Sequence, residues 1–169
     1  MYQRILVPVD GSPTSNQGLD EAVKLAKLTG ARLRLIHVIN ELTFATGFEI
    51  YTADIIDILK EGGAQILAEA QARVQAAGVN AISYLSENFG SRVCDIVVDD
   101  AIDWKADLIV IGSHGRRGIG RLIIGSDAEQ ILRKSPVPVL LVHAVPAIAS
   151  AVPTKSGATV AAKPSAVPA

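Results

Sequence analysis

The sequence predicts a single α/β domain in which a five-stranded parallel sheet is wound on both faces by helices. Short apolar runs rich in β-branched residues alternate with stretches of helical periodicity, and this βα repeat is the pattern of a doubly wound sheet. Several of the runs are apolar at every position, as strands covered on both faces must be. The chain has 169 residues, 49% of them apolar, which is enough for one well-buried domain and too little for two of ordinary size.

The elements follow in order. The strands are Arg4 to Val9, Arg32 to Val38, Ala81 to Ser86, Asp107 to Ile111 and Val137 to His143. Leu19, Ala22, Val23 and Ala26 form the first helical stripe, Ile66, Ala70 and Val74 the second, and Val93, Ile96, Val97 and Ala101 the third. A short fourth helix from Asp127 to Lys134 is stopped by Pro136. Asn40 to Tyr51 is a longer connection whose Phe44, Phe48 and Tyr51 either pack on the next helix or wall a ligand site. From Val145 the composition turns to Ala, Pro, Val, Ser and Thr without aromatic residues, so residues 145–169 are expected to be a disordered tail beyond a domain of residues 1–144.

The stretch with most chemical content is Asp107-Leu-Ile-Val-Ile111 running into Gly112-Ser-His-Gly115, nine further residues, and Gly125-Ser126-Asp127-Ala-Glu129. Glycines here let backbone N–H groups approach a ligand, and a helix start supplies unpaired N–H groups with partial positive charge. Phosphate is the ligand such a loop suits. Arg116, Arg117 and Arg121 add positive charge at its mouth. Ser126 and Glu129 have capping-box spacing, so the serine also reads as a plain helix cap and the glycines as plain turns. The chain has no G-x-x-x-x-G-K-[ST] segment, and Gly118-x-Gly120 lacks the third glycine of a dinucleotide fingerprint. A mononucleotide therefore fits better than NAD.

Composition narrows the partners. The formal net charge is −1 and the basic residues are scattered outside the loop, so a nucleic-acid face is not expected. Neither a signal-peptide core nor a membrane-length apolar run is present, and the single cysteine, Cys94, suits a reducing compartment; the expectation is a cytoplasmic protein that neither spans nor binds a membrane. Cys94 reads as a half-buried packing residue. His37 and His143 sit at strand ends without metal-ligand spacing and read as structural.

The pattern Gly112-x-x-Gly115, nine residues, Gly125-Ser126, together with the opening strand Ile5-Leu-Val-Pro8-Val9-Asp10-Gly11-Ser12, resembles the ATP-binding branch of the universal stress protein family over residues 3 to 143. That resemblance implies a Rossmann-like fold of the adenine nucleotide alpha hydrolase type with strand order 3-2-1-4-5, and a nucleotide-binding stress-response factor with an unnamed protein partner. It also implies the roles of individual residues. Asp10 would bond the ribose or adenine side, Pro8 and Val9 would line the pocket, and the Val38 backbone would read the adenine edge. Gly112, Gly115, Gly125 and Ser126 would cradle the phosphates of ATP, with Ile111, His114, Arg116 and Asp127 beside them. Mg²⁺ would accompany ATP, and AMP or another adenine nucleotide is also accommodated. Asp10 has the lesser alternative of an Asx-turn residue, and His114 reads as a turn residue, a ring against the ribose or a phosphate donor. Asp127 departs from the small apolar or hydroxyl residue of many ATP-binding relatives. It either complements the helix dipole or repels the phosphates. The last strand would be a sheet edge through which two copies pair. ATP hydrolysis would be slow at most, and a nucleotide-independent interaction protein is the remaining reading.

Overall fold

In the computed structural model the described residues are 1–39, 53–87, 90–113 and 124–143. They form β1 (Arg4–Pro8), α1 (Pro13–Thr29), β2 (Arg32–Val38), α2 (Ala53–Ala76), β3 (Ala81–Ser86), α3 (Val93–Asp103), β4 (Leu108–Gly112), α4 (Ser126–Lys134) and β5 (Val139–Val142). The strands pair in parallel in the order β3-β2-β1-β4-β5. The expected fold class and strand order are both observed. The loop from Asn40 to Tyr51, His114, Gly115 and the arginines 116, 117 and 121, and the tail lie outside the described residues.

Alternation along the strands divides the core in two. Ile5, Val7, Leu33, Leu35, Leu108 and Val110 face α1 and α2, meeting Leu19, Ala22, Ala26, Leu67, Ala70 and Val74. Leu6, Ile36, Ile109 and Ile111 face α3 and α4, meeting Ile96, Val97, Ala101, Ala128 and Ile131. Cys94 belongs to this second cluster and is fully buried, not half-buried, because it sits in the first turn of α3 where α4 closes over it. Burial is the first cause of its raised thiol pKa; Asp95 adds to it, Lys134 opposes it, and Asp127 adds a smaller part.

β3 is not covered on both faces. It is an edge strand, and Ile82 and Tyr84 are exposed. Beside them Arg34 of β2 makes two hydrogen bonds to Asp100 of α3, Nε to Oδ2 at 2.8 Å and Nη2 to Oδ1 at 2.7 Å. Its guanidinium carbon lies 4.9 Å from the Tyr84 ring centre and 5.9 Å from that of Trp104. A planar cation satisfied by a carboxylate and stacked on aromatic rings takes the place of apolar packing there.

Candidate functional site

Three structures meet at the carboxyl ends of the strands, the end at which open α/β sheets bind ligands. The first is the turn after β1. The Ser12 N–H donates to Asp10 Oδ1 at 2.9 Å, which makes Asp10 an Asx-turn residue, and the Asp10 N–H donates to Ser15 Oγ at 3.1 Å. Ser12 is the N-cap of α1, its hydroxyl accepting from the Ser15 N–H at 3.2 Å, with Pro13 in the first turn. Gly11 has φ +78°, which the turn needs and a side chain would oppose. Val9 carries its side chain into the α1/α2 core, while its N–H bonds Ile36 O at 2.8 Å and its carbonyl accepts from His37 Nδ1 at 2.7 Å. His37 is buried.

The second structure is the end of β4. Gly112 touches α1 so closely that a Cβ there would stand 2.6 Å from the Thr14 carbonyl oxygen and 2.9 Å from the Ser15 nitrogen. Gly18 of α1 meets the Gly112 nitrogen from the other side, at 3.1 Å from its own would-be Cβ. The space left by the missing side chain of Gly112 is therefore filled by α1. Ser113, fully buried, donates its N–H to Val142 O and accepts from Gly125 N–H, both at 2.8 Å.

The third is the start of α4. Gly125, not Ser126, is the N-cap, and a glycine has no side chain with which to cap the helix. The capping-box reading is corrected accordingly: Ser126 is the first helical residue, Glu129 sits one position too far along to reach back, and its carboxylate pairs with Arg133 at 3.1 Å. Gly125 has φ −62° and ψ 149°, an extended conformation open to any residue. What it contributes is the lack of a side chain. Its own N–H is spent on Ser113, whereas the first turn's amides point out of the helix end. Asp127 is exposed in that first turn, together with Glu129, where negative charge suits the dipole.

Val38 ends β2 opposite Ser86, and Pro8 ends β1 opposite Ile36. Ile111 is buried against α3 and α4. Of the expected site residues, Pro8, Val9, Asp10, Val38, Ile111, Gly112, Gly125, Ser126 and Asp127 thus lie at one end of the sheet. His114, Gly115 and Arg116 are outside the described residues.

The profile of the family described as universal stress protein family matches residues 1–143. The chain belongs to the universal stress protein family. A Staphylococcus saprophyticus protein named as a universal stress protein is 35% identical over 142 residues, covering 84% of each chain. A universal stress protein family structure from Burkholderia pseudomallei is 33% identical, with a TM-score of 0.68 over 83% of this chain and 96% of that one. Two further universal stress protein structures contain nucleotides. One, in complex with cAMP, is 28% identical with a TM-score of 0.61, over 85% of this chain and 99% of that one. The other, from Archaeoglobus fulgidus in complex with dAMP, is 26% identical with a TM-score of 0.61, over 83% and 98%.

Within this member of the family, the sequence reading missed two supporting groups. The hydroxyls of Ser12, Thr14 and Ser15 are buried beneath the Asp10 turn, with Ser12 Oγ and Thr14 Oγ1 3.3 Å apart. Ser113 joins β4 to both β5 and α4. The run Asp-Gly-Ser-Pro-Thr-Ser after β1 is a legible turn and helix start; nothing in the sequence marks Ser113. A hollow of about 350 Å³, lined by Asp10, Gly11, Ser12, Pro13, Ile66 and Glu69, opens between the β1–α1 turn and α2. Its two carboxylates make it a poor seat for phosphate, and neither Gly112 nor Gly125 lines it. Among the described residues no group of three or more His, Cys, Asp or Glu could hold a metal, and no helix is long and apolar enough to cross a membrane.

Proposed function

We propose that this universal stress protein binds an adenine nucleotide, ATP in the first place, and acts as a stress-response regulator through protein partners instead of by turnover. The observation carrying the reading is the hydrogen bond from Gly125 N–H to Ser113 O, which brings the side-chain-free start of α4 against the end of β4, the strand next to β1 and its Asp10 turn. An anion at the α4 N-terminus meets backbone donors and the positive end of the helix dipole. Asp10 then takes the ribose or adenine side and Val38 the adenine edge, while Pro8, Val9 and Ile111 form the apolar surround. Gly112, Ser126 and the loop residues His114, Gly115 and Arg116 complete the phosphate end, with Mg²⁺ carried on the phosphates. The cAMP and dAMP complexes of related proteins support the adenine nucleotide class.

Residues 1–144 are the functional domain in this reading and residues 145–169 an appended tail. β5 supplies the assembly. It is a sheet edge with Leu140 exposed, and an apolar edge of this kind pairs with a second copy to give a homodimer. Sedimentation at micromolar concentration should report two copies, and Leu140→Lys should reduce this to one.

Mass spectrometry of nucleotide carried through purification, followed by ATP titration of the parent and Gly125→Val, tests the central proposal. The valine suits the extended backbone at 125, so circular dichroism should be unchanged while ATP affinity falls at least tenfold. A Gly125→Val variant that binds ATP like the parent refutes the placement of the phosphates. Phosphate release in the same samples separates a binder from an ATP-hydrolysing enzyme.

A further inference from the structure

α2 changes character at one point. Gly63, Leu67, Ala70 and Val74 form a buried stripe, and a Cβ on Gly63 would stand 2.8 Å from both His37 Cδ2 and Leu85 Cδ1. Glycine at 63 is what lets the helix lie on β2 and β3. Before it, no residue from Ile55 to Gly62 is buried, and Ile58 is 67% exposed.

His37 and Leu85 are the penultimate residues of their strands. Because α2 descends from the end of β2 to the start of β3, everything ahead of Gly63 stands beyond the carboxyl ends of the sheet. Eight residues from Ile55 to Gly62 make a helical arm about 12 Å long, at the same end as Asp10, Gly112 and Ser126. Gly62 meets nothing within 4 Å, so packing does not account for it. A glycine in a helix interior makes the helical state about fivefold less favourable than alanine does. A segment with no fully buried residue, only Ile56, Leu59 and Lys60 half-buried, and with such a weak point behind it opens locally at low cost. Among the described residues a salt bridge ties it down: Lys60 Nζ reaches Glu87 Oε2, just past β3, at 2.7 Å.

We propose that Gly62 is a joint and that Ile55 to Glu61 form a helical lid over the nucleotide site, latched by Lys60 and Glu87. What the lid covers rests on the nucleotide reading above; the joint itself rests on packing alone. With nucleotide beneath it the latched lid covers Ile55 and Ile58, one turn apart on the arm, and its opening sets how fast nucleotide enters and leaves.

Hydrogen exchange followed by mass spectrometry on the full chain, with and without ATP, tests both parts. Without nucleotide, residues 55–61 should exchange at least tenfold faster than residues 64–76. Gly62→Ala should slow 55–61 about fivefold and leave 64–76 alone, while Lys60→Gln should quicken it. If 55–61 and 64–76 exchange together, or if Gly62→Ala leaves 55–61 unchanged, the joint is refuted whatever ATP does. With ATP, 55–61 should become protected, and release of a fluorescent ATP analogue should be slower from Gly62→Ala and faster from Lys60→Gln. Protection of the Asp10 turn and the α4 start without protection of 55–61 overturns the lid and leaves nucleotide binding standing. Absence of protection anywhere overturns nucleotide binding, and the lid over it.

Discussion

Replacing glycine by alanine at three positions should move stability in three directions. At Gly112 the new Cβ falls 2.6, 2.7 and 2.9 Å from backbone atoms of Thr14 and Ser15. Backbone cannot rotate aside as a side chain can, so α1 must separate from β4 by most of an ångström, and overpacking of this kind costs about 3 kcal/mol. For a domain of this size that lowers the melting midpoint by about 10 °C, or the urea midpoint by about 1.5 M. At Gly18 the Cβ would be 3.1 Å from the Gly112 nitrogen, a misfit of a few tenths of an ångström. The helix propensity gain of about 1 kcal/mol offsets it, leaving the variant within about 1 kcal/mol of the parent. Gly62 faces open space, and alanine there gains up to about 1 kcal/mol. Urea unfolding of the three variants, with the Gly18/Gly112 double variant to expose coupling at the shared contact, measures the series. A Gly112→Ala protein as stable as the parent, or one no worse than Gly18→Ala, refutes the packing argument and returns that glycine to the phosphate site alone.

Three further outcomes are expected. Arg34→Ala strands the buried Asp100 carboxylate and should cost about 3–5 kcal/mol, whereas Arg34→Met with Asp100→Leu should recover most of it; equal losses in chemical unfolding would refute the ion-pair account. The Asp95 carboxyl is held below its ordinary value of 3.8, first by its hydrogen bond to Lys134. Its contribution to stability is therefore complete above pH 3.8 and lost as pH falls through the lower native value, so Asp95→Asn should flatten the acid limb of unfolding below about pH 4, and a limb of unchanged slope refutes the linkage. Asp127→Val should strengthen ATP binding more than AMP binding, since a carboxylate about 6 Å from phosphate repels it by about 1 kcal/mol after solvent screening; calorimetry at two salt concentrations giving an unchanged ATP-to-AMP ratio removes the repulsion.

The sheet was legible because burial on both faces leaves a continuous apolar signature, as in Leu108-Ile-Val-Ile111. The strand order was implied by the family resemblance, not by any strand's own residues. β3 was legible as a strand from Ala81 to Ser86, but its uncovered face is compensated from afar, by Arg34 sixty-six positions before Asp100. At α4 the capping-box spacing pointed to Ser126 as the N-cap, whereas the Glu129 N–H bonds the Gly125 carbonyl and makes Gly125 the cap, held in place by its own N–H on Ser113 O. Such a pairing depends on where β4 ends in space. Gly112 and Gly18 each looked like a local choice; that they press on one another is a tertiary fact with no spacing to announce it.

Ser113 has both backbone hydrogen-bonding groups committed, the N–H to the outermost strand and the carbonyl to Gly125, the N-cap of α4. A single peptide link on each side of that residue thus serves as a mechanical rivet between the rim of the sheet and the start of α4. Sliding β5 along β4 by even one residue would pull the Val142 carbonyl away from Ser113, and tilting α4 would break the bond to Gly125. A force applied at the rim has no slack to spend before it reaches the helix start, and the two regions move as one piece.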